Sequence, residues 1–382
     1  MIASRNELSH KVHHYFEATE REQPLPALGD LIETLTDSGL GEFLASFSPL
    51  HLRPLDWPPY RDRVPDRLRV LVDLFAFGAE IDARELPQEL GWISVELPRA
   101  GVAIFDGRNL QLTAGLRLVP VAGRWLFCTP PGAGLSHYLG DDSIALMLRI
   151  QPKANATVLD LCSGSGLQAL HCAGFARRIT AVERNRDAVE LARVNVTLNR
   201  LEEKIDVLQG DMFEPVDGRQ FDLVVANPPL LPVPDGLPDL FIGHGGYDGM
   251  RACCRILEGL PTALSPSGRA HLIASCLADA DNHYLRDLLA TAAKTHHLDI
   301  TATVVSMKEM GGADGYLEAM ASAVAREIGQ DPDRVLAAYR EDMRQRRATH
   351  LSFLFLMARH GSGRVELVDM RTPTSQGVWH IG

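Results

Sequence analysis

The stretch FDLVVANPPL (221–230) ends an apolar run with one polar side chain, Asn227, followed by two prolines. An amide oxygen from Asn227 and the carbonyl of Pro228, held on a stiff turn, can accept both hydrogens of an –NH2 group. That arrangement aims the nitrogen lone pair, and fixed near-attack geometry can supply several kcal/mol of a barrier. Three acids recur in the same kind of place, each closing a short apolar run: Asp160 in VLDLCSGSG, Glu183 in ITAVERN and Asp211 in VLQGDMF. The glycines of SGSG, Gly164 and Gly166, let a ligand approach the backbone closely. Asp160 would repel a phosphate there, so the ligand should carry a cationic group. A carboxylate at the second strand end suits two ribose hydroxyls, and one at the third can reach an exocyclic amine.

An ammonium, a ribose and an adenine bracketed by three strand-end acids describe S-adenosylmethionine. DLCSGSG, AVERNRDAVELARVN, GDMFEP, FDLVVANPPL and GGYDGM (245–250) together resemble the class I S-adenosylmethionine-dependent methyltransferases. Within that class they are similar to the glutamine N5-methyltransferases of release factors and related amino-methyltransferases. The resemblance covers about 140 residues from position 138. It implies a cofactor-binding set of Asp160, Cys162, Gly164, Gly166, Glu183, Arg184, Asp211, Met212 and Asn227, with Asn227 and Pro228 catalytic and Cys162 a small filler of the loop. YLGDDS (138–143) falls where those families cover cofactor and acceptor.

Leu230 departs from the aromatic residue that usually closes this motif and stacks on a flat acceptor, which weakens a nucleobase reading. Tyr138, Leu230, His244, Glu309 and Tyr316 are the candidates for contacting the acceptor. Glu309, Asp314 and Glu318 suggest an acidic lid for a cationic molecule. The expectation is therefore N-methylation of a small amino-acid-like metabolite with a guanidino or amide group, arginine among them. The alternatives are a protein glutamine and, third, an rRNA or DNA base. No cysteine or histidine spacing suggests a metal.

Alternating strand and helix patterns from residue 136 onward predict an α/β, Rossmann-like seven-stranded sheet. A two-helix insertion occupies 307–348. Before it, residues 1–60 read as a helical segment, and 61–135 as a small helix-plus-β, winged-helix-like module with a small antiparallel sheet over 92–129. RPLDWPPYRDRVPD (53–66), with its four prolines, forms a joint.

The 382 residues carry a formal charge of −11, which argues against nucleic acid as the main partner. The basic clusters RDRVPDRLR and RQRR are interleaved with or preceded by acids. Six cysteines without paired spacing point to free thiols in a reducing compartment. Apolar runs are too short for a bilayer and the N-terminus lacks a secretory pattern, so the expected setting is cytoplasmic, without membrane contact. A homodimer through the N-terminal region is a further expectation.

Overall fold

A computed structural model of the chain describes residues 28–46, 58–113, 115–129, 137–238, 243–371 and 378–379. The first part of the expected N-terminal helical segment, residues 1–27, lies outside them, as does the proline-rich joint up to residue 57. The chain forms two compact bodies. One holds the described residues up to 140 with 164–171 and 185–207, the other 141–163, 172–184 and the described residues from 208 onward.

In the first body, helices α1 (Leu28–Asp37), α2 (Leu40–Ala45) and α3 (Asp66–Leu71) precede a π-helical turn, Val72–Phe77, closed by Gly78 in the left-handed region. Strand β1 (Ile81–Asp82), helix α4 (Ile93–Arg99) and strands β2 (Ala103–Phe105) and β3 (Asn109–Leu112) follow. These strands pair in the order β1-β3-β2, while β4 (Arg117–Val121) and β5 (Arg124–Cys128) form a separate antiparallel pair. The single small sheet expected across 92–129 is thus two sheets, and its first residues are helical. Ile93 and Leu97, four apart, bury one stripe of α4, which is a helical period and not a strand's.

The largest sheet among the described residues runs in the order β13-β11-β12-β10-β9-β6-β7-β8. Its strands are β6 (Thr157–Leu161), β7 (Arg178–Glu183), β8 (Ile205–Gln209), β9 (Phe221–Ala226), β10 (Leu264–Ala278), β11 (Leu298–Glu309), β12 (His350–His360) and β13 (Val365–Asp369). The edge strand β13 makes eight strands where seven were expected. Continuous apolar runs such as Leu223–Ala226, wholly buried, are what a parallel strand covered on both faces requires. Strands β6, β7, β9 and β10 run parallel; β12 is antiparallel to both β10 and β11. It follows that β11 ends at the same sheet edge as β9.

Helices α5 (Asp141–Met147), α6 (Leu167–Cys172), α7 (Arg186–Leu198), α8 (Arg251–Ala263) and α9 (His283–His296) connect these strands. Helices α10 (Tyr316–Ile328) and α11 (Pro332–Arg346) form the insertion between β11 and β12. Asp331 caps α11 by accepting from Asp333 N and Arg334 N, with Pro332 at the first turn. At the opposite sheet edge, Asp222 accepts from Thr157 N and Oγ1 (both 3.0 Å), Lys153 Nζ (3.1 Å) and Ser265 Oγ (3.1 Å). One carboxylate thereby ties the starts of β6, β9 and β10. No helix among the described residues is long and apolar enough to cross a membrane.

Candidate active site

Strand register fixes the site. Leu161 on β6 pairs with Val182 on β7 and with Ala226 on β9. One residue beyond those partners, Glu183, Cys162 and Asn227 stand level along the carboxyl edge of three adjacent strands. Gly210 N donates to Glu183 O at 3.0 Å, which sets Asp211 beside Glu183. Asp160, inside β6, is fully buried. Burial and the charges of Glu183, Asp160 and Asp211, in that order, push the Cys162 thiol up, with Arg255 opposing. Three acids therefore converge on this loop, and the thiol is no nucleophile.

Cys162 adopts φ +56 and Met212 φ +54, left-handed conformations that L-residues rarely hold. Such strain gathers at functional sites. Ser163 N donates to Val182 O at 3.2 Å, while the buried Ser163 Oγ has no hydrogen-bond partner among the described residues. An orphaned hydroxyl beside three acids fits a polar, partly cationic ligand such as S-adenosylmethionine. The loop continues through Gly164 (φ +53) and Gly166 (φ +90), where only glycine is unstrained. Arg184 is exposed just after Glu183.

Asp211 carries an unforeseen partner. Arg255 of α8 donates to both its oxygens, Nη2 to Oδ2 at 2.9 Å and Nη1 to Oδ1 at 3.3 Å. The carboxylate keeps further lone pairs for a ligand amine.

Asn227 is oriented by two residues that sequence reading placed in a covering segment without assigning them roles. Its Nδ2 donates to Asp142 Oδ2 at 2.8 Å and to Ser143 Oγ at 3.2 Å. A carboxylate only accepts, so the amide nitrogen must face Asp142, and Oδ1 is the atom presented on the other side. Pro228 is buried. Leu230 is clamped from two sides: its carbonyl accepts from Ser275 Oγ, and Gly249 packs against it. A Cβ on Gly249 (φ +88) would lie 2.9 Å from Leu230 O and 2.6 Å from Ser275 O, which accounts for glycine in GGYDGM.

The acceptor-side candidates separate. His244 Nδ1 accepts from Gly246 N and Arg251 Nη2, both at 3.0 Å, so this nitrogen holds the turn. Tyr316 opens α10 and stands edge-on to Phe353, ring centroids 6.0 Å apart. Its hydroxyl is pushed up to about 12, by burial first and then by Asp314. Glu309 is exposed at the end of β11. Two of the three lid acids have cationic partners: Asp314 pairs with Lys308 at 3.3 Å and Glu318 with Arg340 at 2.9 Å. In the other body, Tyr138 is partly exposed and its ring lies across Gly140. The insertion reaches the loop after the prolines through Tyr339, whose buried hydroxyl donates to Pro232 O at 2.6 Å. Arg346 adds an ion pair with Asp235 at 2.8 Å. Neither residue carries a sequence signal, because each lies more than 100 positions from its partner.

A mostly parallel sheet that gathers acids, a strained glycine loop and an oriented amide at its carboxyl edge defines a class I methyltransferase fold. The Methyltransferase small domain family matches residues 124–235. A provisionally named protein N5-glutamine methyltransferase of Methanocaldococcus jannaschii is 34% identical over 142 residues, 36% of this chain and 71% of that one. The ribosomal protein uL3 glutamine methyltransferase of Bradyrhizobium diazoefficiens is 35% identical over 36% of this chain and 46% of its own length. A release factor glutamine methyltransferase of Shewanella oneidensis is 44% identical over 22% and 30%. The chain thus spans about half or less of two of these three relatives. Solved structures superpose loosely: M. jannaschii TYW2 with AdoMet gives a TM-score of 0.39 at 12% identity, over 65% of this chain and 89% of that one. The chain belongs to the class I S-adenosylmethionine-dependent methyltransferases, in the group resembling the glutamine N5-methyltransferases.

Proposed function

We propose that the chain methylates the side-chain amide nitrogen of a glutamine in a protein. The observation that carries this reading is the tethering of Asn227 Nδ2 to Asp142 and Ser143, which commits Oδ1 to accepting. Asn227 Oδ1 and the Pro228 carbonyl are two neutral acceptors, matched to the two N–H bonds of a neutral amide. A guanidinium would call for carboxylates in fixed positions, and Asp314 and Glu318 are already paired with cations. The small cationic metabolite that composition and the lid suggested is therefore the weaker reading. Relatives named for uL3 and release-factor glutamines support the protein acceptor.

In this reading Asp160, Glu183 and Asp211 hold S-adenosylmethionine, which supplies the methyl electrophile. Bound there, it would give its methyl to the glutamine nitrogen, the carbon–sulfur electron pair leaving with sulfur. The methylated amide then releases one N–H proton to water, so no dedicated base is needed. Aliphatic Leu230 beside the motif suits a flexible side chain better than a stacked base.

The test offers radiolabelled cofactor to purified uL3, release factor, a glutamine-bearing peptide, free arginine and RNA. Label in a protein or peptide, mapped to glutamine by mass spectrometry, is the expected result. Label confined to arginine or RNA overturns it.

A further inference from the structure

Asp142 lies 85 residues before Asn227, on the first turn of α5. We propose that Asp142 is a positioning residue for methyl transfer, fixing and polarising the Asn227 amide that receives the acceptor nitrogen; this rests on the glutamine-amide reading above.

Both N–H bonds of Asn227 Nδ2 have acceptors, Asp142 Oδ2 at 2.8 Å and Ser143 Oγ at 3.2 Å. Rotating the amide by half a turn would set Oδ1 against a carboxylate, which repels it. The charge selects one orientation, whereas a hydroxyl, able to donate or accept, does not. Ser143 is buried and cannot be replaced there by bulk water. The second effect is electronic. A hydrogen bond from the amide N–H to a carboxylate shifts electron density toward Oδ1, and chains of hydrogen bonds strengthen one another in low dielectric. The acceptor nitrogen becomes cationic as the methyl arrives, so a more negative Oδ1 stabilises the transition state more than the ground state.

Four predictions separate this role from simple structural support. Asp142→Ala should lower kcat on uL3 about 100-fold, with cofactor affinity by calorimetry changed less than about 3-fold. Asp142→Asn retains an acceptor without the charge and should fall between, near a 10-fold loss. In an Asn227→Ala background, Asp142→Ala should add nothing, because its effect passes through that amide. Without any acceptor present, 15N spectra of asparagine-labelled protein should show the Asn227 side-chain N–H signals shifted and slowed in exchange, and both features lost in Asp142→Ala. Equal slowing by Asp142→Ala in both backgrounds, or an unmoved Asn227 signal, overturns the proposal. So does a joint fall in cofactor affinity and melting temperature without a selective loss of kcat. If Asn227→Ala alone keeps full turnover on every acceptor while the Asn227 signal still responds to Asp142, the glutamine-amide chemistry fails and the contact is structural.

Discussion

Glu183 and Asn227 differ from the other polar residues of the sheet because each sits one step past a buried strand end, level with the other across Cys162. In the proposed reading a side chain there faces the ligand, not the core. Glu183→Ala removes a charge-assisted acceptor proposed for two ribose hydroxyls, and cofactor affinity should drop at least about 10-fold. Calorimetry returning the wild-type constant would remove Glu183 from the cofactor set. Spacing alone made these residues visible, since an acid closing an apolar run has few structural uses. Arg255, Asp142 and Ser143 were not visible in that way. They act on Asp211 and Asn227 from helices whose docking no local pattern encodes.

Among the elements, α7 does most to organise the first body. Leu191, Val194 and Leu198 enter its apolar core, while Asn195 and Asn199, one turn apart, grip the backbone of β5. Asn195 accepts from Phe127 N at 2.8 Å and donates to Phe127 O at 3.0 Å and Ser165 O at 2.9 Å. Asn199 repeats the clasp on Trp125, at 3.1 and 2.7 Å. Two amides thus stand in for a neighbouring strand at alternate residues of β5. Asn195→Ala would remove the side-chain partner of three backbone groups and should cost about 3 kcal/mol or more, read as a lower urea midpoint. In the second body, Tyr339→Phe leaves the Pro232 carbonyl without its donor. The expected loss is about 1–2 kcal/mol, with a raised KM for the acceptor protein and an unchanged cofactor affinity. An unchanged KM would mean that the insertion does not shape the acceptor loop.

At the scale of the whole molecule, acid stability should fall in two stages. His271 is 3% exposed on β10, and burial, then Arg269, holds its pKa down to about 4. The unfolded chain binds that proton from about pH 6.5 downward, so stability is lost between about 6.5 and 4. His137, held to about 4 by burial, shares the window. Asp222 is held at about 2, chiefly by Thr157 N, so its contribution, full above about pH 4, is lost as pH falls toward 2. His271→Met should make the upper limb shallower, leaving the share of His137, and leave the lower one unchanged; denaturation midpoints between pH 7 and 3 check this. The sequence by itself determined the α/β alternation, the insertion and the cofactor class, because strand-end acids and a glycine loop are local signals carried within a few residues of each strand. The eighth strand, the division of the small β region into two sheets, the pairing of Asp314 and Glu318 and the tethering of Asn227 were decided by tertiary structure. Each depends on which distant segments meet, and a carboxylate reads the same in a sequence whether a guanidinium, an amide or water is what it finally faces.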